Sequence, residues 1–194
     1  MSSRYGRGVA GGMHGVRLEP IGPDFQAVTV GPPPVVPACD AWSMERSVYE
    51  AAGGMEGMRR LAHAWHARVL ADEVVSHAFS HGFHPHHTER LAAYWAEALG
   101  GPTAYTDAYG DESSVVRMHS GNGPHSEMDR RAIACFDEAL ADAGLADDPR
   151  LRQALHDYFA WATTDSMTRY HASADDVPDG LPLPRWSWDG LVET

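Results

Sequence analysis

The fold is decided by the stretch GGPTAYTDAYGDESSVVRMH, residues 100–119, which opens on a glycine pair and closes on a histidine. An earlier pair, Gly53-Gly54, lies in sequence that otherwise has a helical composition. Glycine readily supplies the positive φ that ends or redirects a helix, and a pair of glycines weakens any helix that contains it. The two pairs therefore predict short helices that change direction at residues 53–54 and 100–101.

The length and charge of the chain limit the classes of function. At 194 residues it is long enough for one domain with a proper core, and 27 acidic against 15 basic residues give a net charge of -12. Such a charge disfavours binding to nucleic acid and to anionic lipid. We therefore expect a single domain with neither partner.

The sequence contains no apolar run of about 20 residues, the length that spans a bilayer, and no charged-then-apolar export signal. We therefore expect a cytoplasmic protein that does not enter the membrane. Of the two cysteines, Cys39 lies in a proline-rich segment and Cys135 in a predicted helix. A reduced pair is favoured over a disulfide, which would have to join a core helix to an irregular segment.

The composition divides the chain into three zones. Residues 1–42 are rich in glycine and proline, with a short β-like piece at residues 27–30, and predict a disordered extension. Residues 43–172 form the predicted domain. Residues 173–194 return to proline and glycine but include Trp186 and Trp188, so we expect this tail to dock on the domain or on a partner.

Hydrophobic periodicity predicts that residues 43–172 are all-α. Apolar residues recur every three or four positions in a helix at residues 55–71, in one that ends at Gly100, and in two later helices. Ser126 with Asp129 predicts the N-terminal cap of the first later helix, and Asp148-Pro149 predicts the start of the second. Residues 72–79 and 113–119 read as shorter helical pieces and residues 101–111 as a long loop. No strand pair is predicted.

Two groups among the 12 histidines have a chemical interpretation. The cluster His81-x-x-His84-x-His86-His87 has spacing that zinc or copper accepts, but it contains no cysteine or acidic residue, so solvated side chains are favoured over a metal site. His119 differs, because Val115 and Val116 precede it by four and three residues on one helical face. Either a hydrogen-bonded core histidine or an iron ligand fits that pattern.

The order of landmarks along residues 49–169 resembles a group II truncated haemoglobin. No single landmark is diagnostic, but they keep their order almost without gaps. They are Tyr49-Glu50-Ala51-Ala52-Gly53-Gly54, Trp65-His66, Asp72-Glu73, Phe79, Leu91, Gly100-Gly101-Pro102, Tyr105, Gly110, Arg117-Met118-His119 and Cys135-Phe136-Asp137-Glu138-Ala139-Leu140.

The resemblance implies a truncated globin with a two-over-two helical sandwich around haem b. It makes His119 the proximal ligand of the iron and Phe79 the aromatic residue that packs on the porphyrin. Leu91 lies on the distal helix, and His66 and His87 take distal positions from which an imidazole donates a hydrogen bond to a diatomic ligand. A haem requires this combination of a neutral imidazole, an apolar slot and a distal pocket of defined polarity.

Two further residues are expected at the haem edge, and two depart from the group. Arg117 and Tyr105 are candidates for binding the haem propionates, with plain surface roles as the alternative. The group typically has tyrosine where this chain has His66, and tryptophan where it has Ala132. The resemblance therefore implies a roomier pocket with different hydrogen bonding, in which His66 or His87 is available as a sixth ligand of the iron.

The expected function is reversible binding of dioxygen and other diatomic gases at a His-ligated iron. One alternative is haem-dependent peroxidase or nitric oxide dioxygenase activity, which needs an external reductase because the chain has no flavin or nicotinamide fingerprint. Another is a haem-free sensor or binding protein that keeps the globin fold, and a third is an unrelated helical metalloprotein. The chain is expected to be a monomer or a homodimer.

Overall fold

The computed structural model describes residues 46–80 and 82–192. These residues form seven α-helices and one β-hairpin. The helices are α1 (Val48–Ala51), α2 (Gly54–Ala71), α3 (His87–Ala98), α4 (Ala104–Ala108), α5 (Glu112–His119), α6 (Ser126–Asp142) and α7 (Pro149–Trp161). Short 3₁₀ helices lie at Val75–Phe79 and Ala174–Asp176, a π-helical turn continues α7 at Ala162–Ser166, and the hairpin pairs β1 (Arg185–Ser187) with β2 (Gly190–Val192).

The four long helices form two packed pairs, α2 with α3 and α6 with α7, and α2 also packs on α6. This is the two-over-two helical sandwich, so the predicted all-α fold is confirmed for the domain. The hairpin belongs to the C-terminal tail, where no strand pair was predicted. Its three-residue strands are too short to show a period in sequence.

The first glycine pair forms the corner between α1 and α2. Ser47 and Glu50 make a reciprocal capping box that starts α1, and Gly53 (φ 87°) and Gly54 (φ 65°) then turn the chain into α2. Gly57 lets α2 approach the end of α1 closely. A Cβ at residue 57 would lie only 1.7 Å from the backbone carbonyl oxygen of Ala52, the residue that follows α1. The predicted helix at residues 55–71 is confirmed, with its start at Gly54.

The predicted loop at residues 101–111 contains α4, and a buried carboxylate explains why. Glu97 of α3 is 2% exposed and accepts hydrogen bonds from the backbone N–H groups of Tyr105 and Thr106, each at 3.0 Å. A side chain from another helix therefore satisfies donors at the start of α4. The loop prediction was wrong for residues 104–108 because it considered only local sequence.

The other helix boundaries agree with prediction except at α6. Asp148 caps α7, with Pro149 in its first turn, as the sequence predicted. Ser126, expected to be the cap of α6, is instead its first residue, and His125 occupies the cap position without a side-chain cap hydrogen bond. Asp129 is engaged by His125, whose Nδ1 lies 2.8 Å from the carboxylate, so it does not take part in the expected cap.

An aromatic cluster fills the centre of the sandwich. Phe136 of α6 stacks on Phe159 of α7 with ring centroids 4.1 Å apart, and both lie edge-on to Trp95 of α3. Trp65 of α2 packs edge-on to Trp95 and Phe159 from the other side. Rings from four helices thus meet at one place, which fixes the helices that surround the cavity described below.

The C-terminal tail packs on the domain through aromatic and charged side chains. Trp186 lies against Tyr158 and Trp161 of α7. The Trp188 indole donates to the backbone carbonyl of Arg46 and stacks under the guanidinium of Arg150 at 4.5 Å. Both tryptophans therefore contact the domain itself.

Some predictions concern residues outside the described ones. The extension at residues 1–42, its β-like piece, Cys39 and His81 all lie there, so they stay predictions. Among the described residues, no helix is long and apolar enough to cross a membrane.

Candidate functional site

A largely apolar cavity of about 280 Å³ opens between α3, α5, α6 and α7. This volume lies near the lower end of the roughly 300–1,000 Å³ typical of small-molecule sites. Most of the wall is aliphatic or aromatic, with a few polar groups set into it. The lining side chains used below are Trp65, Phe79, His87, Arg90, Leu91, Tyr94, Tyr105, His119, His125, Ala132 and Tyr158.

His119 is the last residue of α5 and forms part of the cavity wall. Its Nδ1 lies 2.8 Å from the backbone carbonyl oxygen of Val115, one turn earlier on the same helix. A carbonyl oxygen only accepts hydrogen bonds, so we assign the proton of the neutral ring to Nδ1. Nε2 then carries a free lone pair, as a metal-ligating histidine requires.

The protonation state of His119 is consistent with this assignment. The residue keeps solvent-exposed surface, as part of an open cavity wall does, while the protein atoms around the ring lower its pKa by desolvation. The hydrogen bond to Val115 opposes that effect, and the nearby His125 adds to it. The ring is therefore held in the neutral form that binds metals.

The two predicted distal histidines lie side by side, but they do not contribute equally to the cavity. His87, the first residue of α3, lines the cavity, whereas His66 of α2 lies behind it with its Nδ1 3.0 Å from the Thr88 hydroxyl. Their ring centroids are 5.1 Å apart. Burial lowers the pKa of His87 to about 4 and also lowers the pKa of His66, so both rings are neutral at neutral pH.

Three buried polar atoms near the cavity have no hydrogen-bond partner among the described residues: Nε2 of His66, Nδ1 of His87 and the hydroxyl of Tyr158. Burying a polar group without a partner costs roughly 1–3 kcal/mol. Two of these atoms belong to residues that line the cavity, His87 and Tyr158, so polar groups of its wall are available to a bound molecule.

Phe79 and Leu91 both line the cavity, as the sequence interpretation placed them. Phe79 ends the 3₁₀ helix Val75–Phe79 and lies edge-on to His87 with centroids 5.5 Å apart. Asp72 starts this segment: its carboxylate accepts from the N–H groups of Val74 and Val75 and binds Arg131 of α6. The ring of Phe79 is thereby fixed next to the histidine pair.

Of the two residues expected at the haem propionates, Tyr105 lies at the cavity and Arg117 does not. Tyr105 is buried and lines the cavity. Arg117 does not line it: its guanidinium donates to the carbonyl of Val177 and to Asp179 in the C-terminal tail. The geometry therefore favours the alternative surface role for Arg117 and does not support its pairing with a propionate.

Arg90 is the basic residue that the structure brings to the cavity instead. It lies one turn after His87 on α3, with its guanidinium 5.9 Å from the Tyr105 ring and 5.3 Å from the Tyr109 ring. The i, i+3 relation to His87 puts both side chains on one helical face, and this signal was present in the sequence. Sequence analysis missed Arg90 because that relation was not applied to charged residues.

Ala132 lines the cavity, as expected, but the space beside it is not simply open. The indole Nε1 of Trp65 donates to the Ala132 carbonyl at 3.3 Å, and Trp65 itself lines the cavity. The Trp65 side chain, which reaches over from α2, thus packs beside the position where the resembling group typically carries tryptophan.

The histidine cluster at residues 81–87 does not form a metal site among the residues described. No group of three or more histidine, cysteine, aspartate or glutamate side chains there could hold a metal ion. His84 and His86 are exposed, while the ring of His87 contributes to the cavity wall. The interpretation as solvated side chains suits His84 and His86, and His81 lies outside the described residues.

A second polar group borders the cavity. The hydroxyl of Tyr94 donates to the carboxylate of Glu112 at 2.8 Å, and Glu112 is 3% exposed. Burial raises the pKa of Glu112 to about 7, with the Tyr94 hydrogen bond opposing the rise. No local pattern in the sequence predicts that Glu112 is buried.

Comparison with known proteins identifies the family of this architecture. Residues 47–164 match the bacterial-like globin family. The chain belongs to that family. A group 1 truncated hemoglobin from Mycolicibacterium paratuberculosis is 32% identical over 102 residues, which are 53% of this chain and 71% of that protein.

Solved hemoglobins share the fold of this globin. A thermostable hemoglobin from Thermobifida fusca is 26% identical, with a TM-score of 0.52 over 70% of this chain and 100% of that one. The hemoglobin of Chloroflexus aurantiacus is 25% identical, with a TM-score of 0.54 over 63% and 98%. A group II truncated hemoglobin from Bacillus anthracis, 18% identical, has a TM-score of 0.54 over 66% and 91%, which shows the fold alone.

The truncated-globin resemblance is therefore confirmed, and group II is compatible with the structural neighbours. Globins of this family carry haem and bind diatomic gases. The residues of this chain fit such a cofactor, because a neutral imidazole with a free Nε2 faces an apolar cavity whose wall also holds unpartnered polar atoms. A binding site for a flat, largely apolar cofactor with charged edges requires these features.

Proposed function

We propose that this globin holds haem b through Nε2 of His119 and binds dioxygen reversibly. The observation that supports the proposal most strongly is the 2.8 Å contact between His119 Nδ1 and the Val115 carbonyl, which leaves Nε2 as the free lone pair in an apolar cavity. A haem held there by His119 would supply an iron to which a diatomic gas binds.

The cavity wall provides the contacts that such a cofactor needs. Phe79 and Leu91 present apolar surface to the macrocycle, and Tyr158 and Val115 do so from α7 and α5. For the carboxylates of the cofactor we assign Arg90 in place of Arg117, with Tyr105 beside it. A guanidinium near an open edge of the cavity suits a carboxylate by charge and geometry.

His87 is the proposed hydrogen-bond donor to the diatomic ligand, because it lines the cavity and its ring is neutral. His66 has a different proposed role, which is to orient His87. At a centroid separation of 5.1 Å, two ring nitrogens that face one another come within hydrogen-bonding distance. Nε2 of His66 and Nδ1 of His87 have no partner in this structure, so the proposed bond between them requires the two rings to turn toward one another.

The properties of His87 favour reversible binding of dioxygen over turnover of peroxide. A distal histidine that acts as acid and base on peroxide works best with a pKa near neutrality. Burial lowers the pKa of His87 to about 4, which makes its ring a weak base toward a bound peroxide at neutral pH.

The test is an absorption spectrum of the haem-supplemented protein in ferric, reduced and carbon monoxide forms. We expect the wild type to show an intense Soret band and to contain stoichiometric iron. The His119→Ala variant should lose both the band and the iron. The matched control is His125→Ala, which removes a second histidine from the same cavity wall. It should keep both haem and iron.

Two outcomes contradict the proposal. A wild-type protein without a Soret band would leave the haem-free sensor as the interpretation. A His119→Ala variant that keeps the wild-type spectrum of the reduced form would mean that another residue ligates the iron. The visible bands of the reduced form also show whether His87 occupies the sixth position, which His87→Leu would then abolish.

A further inference from the structure

The helix that carries His119 is held by the C-terminal tail as well as by Tyr94 of α3, whose hydroxyl donates to Glu112 of α5. Helix α5 has eight residues, fewer than the roughly 12–15 that make an isolated helix even marginally stable. Among the described elements, α5 packs more extensively on the 3₁₀ helix Ala174–Asp176 than on any other. The position of α5 therefore depends on a segment outside the two-over-two sandwich.

Arg117 makes the first attachment, near the end of α5. Its Nη2 donates to the carbonyl oxygen of Val177 at 3.0 Å and to Asp179 at 2.6 Å. Asp179 is almost fully exposed, and exposed ion pairs contribute little. Val177 is only 4% exposed, so the charge-assisted bond to its carbonyl anchors Arg117 to a fixed part of the tail.

Ser113 makes the second attachment, in the first turn of α5. It is fully buried, and its hydroxyl accepts a hydrogen bond from the backbone N–H of Leu181 at 3.0 Å. Two residues further along, Leu183 is inserted into the hydrophobic core and is 8% exposed. The tail is thus fixed to the core immediately after it contacts α5.

The turn that follows His119 is attached as well. The N–H of Gly121 donates to the carbonyl of Tyr170 at 3.3 Å, and the N–H of Gly123 donates to that of His171 at 3.0 Å. These acceptors directly precede the tail. Helix α5 is therefore restrained in its first turn, in its last turn and just beyond its C-terminus.

We propose that residues 173–183 act as a proximal brace, which sets the position of α5 and, through it, the geometry of the His119 bond to the haem iron. Arg117 and Ser113 are the positioning residues. None of residues 173–183 lines the cavity, so the brace acts through α5 alone. This proposal rests on the proposed function, because it assigns a structural origin to the strength of the iron–histidine bond.

The test uses the full-length haem-loaded protein and the variants Arg117→Met, Ser113→Ala and the double variant. Resonance Raman spectroscopy of the reduced protein reports the iron–histidine stretching band, and hydrogen–deuterium exchange reports the α5 amides. We expect the band to shift or broaden in each variant and most in the double one. Exchange in α5 should accelerate roughly 10- to 100-fold, as the loss of a hydrogen bond to a charged group implies.

Two further variants separate positioning from general destabilisation. Arg130→Met is the control, because Arg130 pairs with Glu127 on its own helix α6 and not with the tail. This variant should change neither the iron–histidine band nor the exchange of the α5 amides. Arg117→Lys keeps the positive charge and one donor for the Val177 carbonyl, so it should restore part of the wild-type band. Ser113→Ala serves as the test variant if Arg117→Met does not fold.

The outcomes distinguish this proposal from the proposed function. If the wild type shows the iron–histidine band and the Arg117 and Ser113 variants leave both band and exchange unchanged, the brace is overturned and the proposed function stands. If the wild type binds no haem, the proposed function fails, and α5 exchange decides about the brace. If the α5 amides exchange no faster in the double variant than in Arg130→Met, the brace is overturned.

Discussion

Glu112 makes the stability of this globin depend on pH in a direction opposite to that of most carboxylates. The side chain is 3% exposed, and burial raises its pKa from 4.5 to about 7. Its immediate surroundings are the Tyr94 hydroxyl, which donates to it, Asp111, which raises the pKa further, and Arg169, which lowers it. Tyr158 of α7 also feels its charge.

The sign of the effect follows from the protons bound in each state. Between pH 4.5 and about 7 the unfolded chain has released the Glu112 proton while the folded chain keeps it. The folded state binds more protons in this window, so stability falls as pH rises and then levels off. Each pH unit of difference corresponds to 1.36 kcal/mol, which gives a contribution of about 3 kcal/mol.

The assay compares Glu112→Gln with the wild type by thermal and urea unfolding, at equal haem loading, from about pH 4 to about pH 8. Glutamine keeps the shape and an acceptor for Tyr94 but has no proton to lose. The variant should gain about 3 kcal/mol relative to the wild type across this range, which corresponds to a Tm difference of about 6–12 °C for a chain of this size.

The control is Glu89→Gln, which removes an exposed carboxylate of α3. The free energy of unfolding of Glu89→Gln should differ little from that of the wild type, and this difference should not follow the pH profile of the Glu112→Gln difference. A Glu112→Gln difference that stays constant over the whole range would refute the reasoning, because it would mean that Glu112 ionises in the folded protein as it does in the unfolded chain.

Three other substitutions have defined outcomes. His87→Leu should speed dissociation of dioxygen from the reduced protein by roughly 3- to 30-fold in stopped-flow measurements, the equivalent of one lost hydrogen bond. Asp72→Asn should lower Tm at neutral pH but not near pH 2, because the guanidinium of Arg131 lowers the pKa of Asp72 to about 2. The ionised carboxylate of Asp72 stabilises the folded state above pH 3.8, and this contribution is lost as the pH falls toward 2. Gly57→Ala should destabilise the protein by at least about 1–3 kcal/mol in urea unfolding, since its Cβ would lie 1.7 Å from a backbone oxygen, whereas Gly144→Ala meets no atom within 4 Å and should show only the smaller cost of its positive φ.

The long helices could be predicted because their sequence signals are local. The apolar stripe of α2, the glycine that ends α3 and the Asp148-Pro149 start of α7 each involve residues within a few positions of one another. The order of these landmarks also led to the truncated-globin family. His119, the proposed iron ligand, was singled out in this way, since its apolar neighbours and its place in that order both lie within one short segment.

The features that were missed depend on residues far apart in the chain. Helix α4 forms because Glu97 reaches the N–H groups of Tyr105 and Thr106 from another helix. Arg117 binds a carboxylate 62 positions later, so its closeness in sequence to His119 gave a misleading indication of its role. Such contacts require the folded topology and leave no periodic trace in the sequence.

Ala132 shows how a substitution is misread when it is considered alone. The small side chain implied a roomier pocket, because a tryptophan is typical at that position. In the folded chain Trp65 lies against the Ala132 backbone and packs edge-on to Phe79. Its indole N–H already donates to a carbonyl and is not free for a ligand, whereas His87 lines the cavity and His66 lies behind it. In this chain an aromatic residue of α2 therefore packs beside residue 132, and two neighbouring histidines lie at and behind the cavity wall near residue 66.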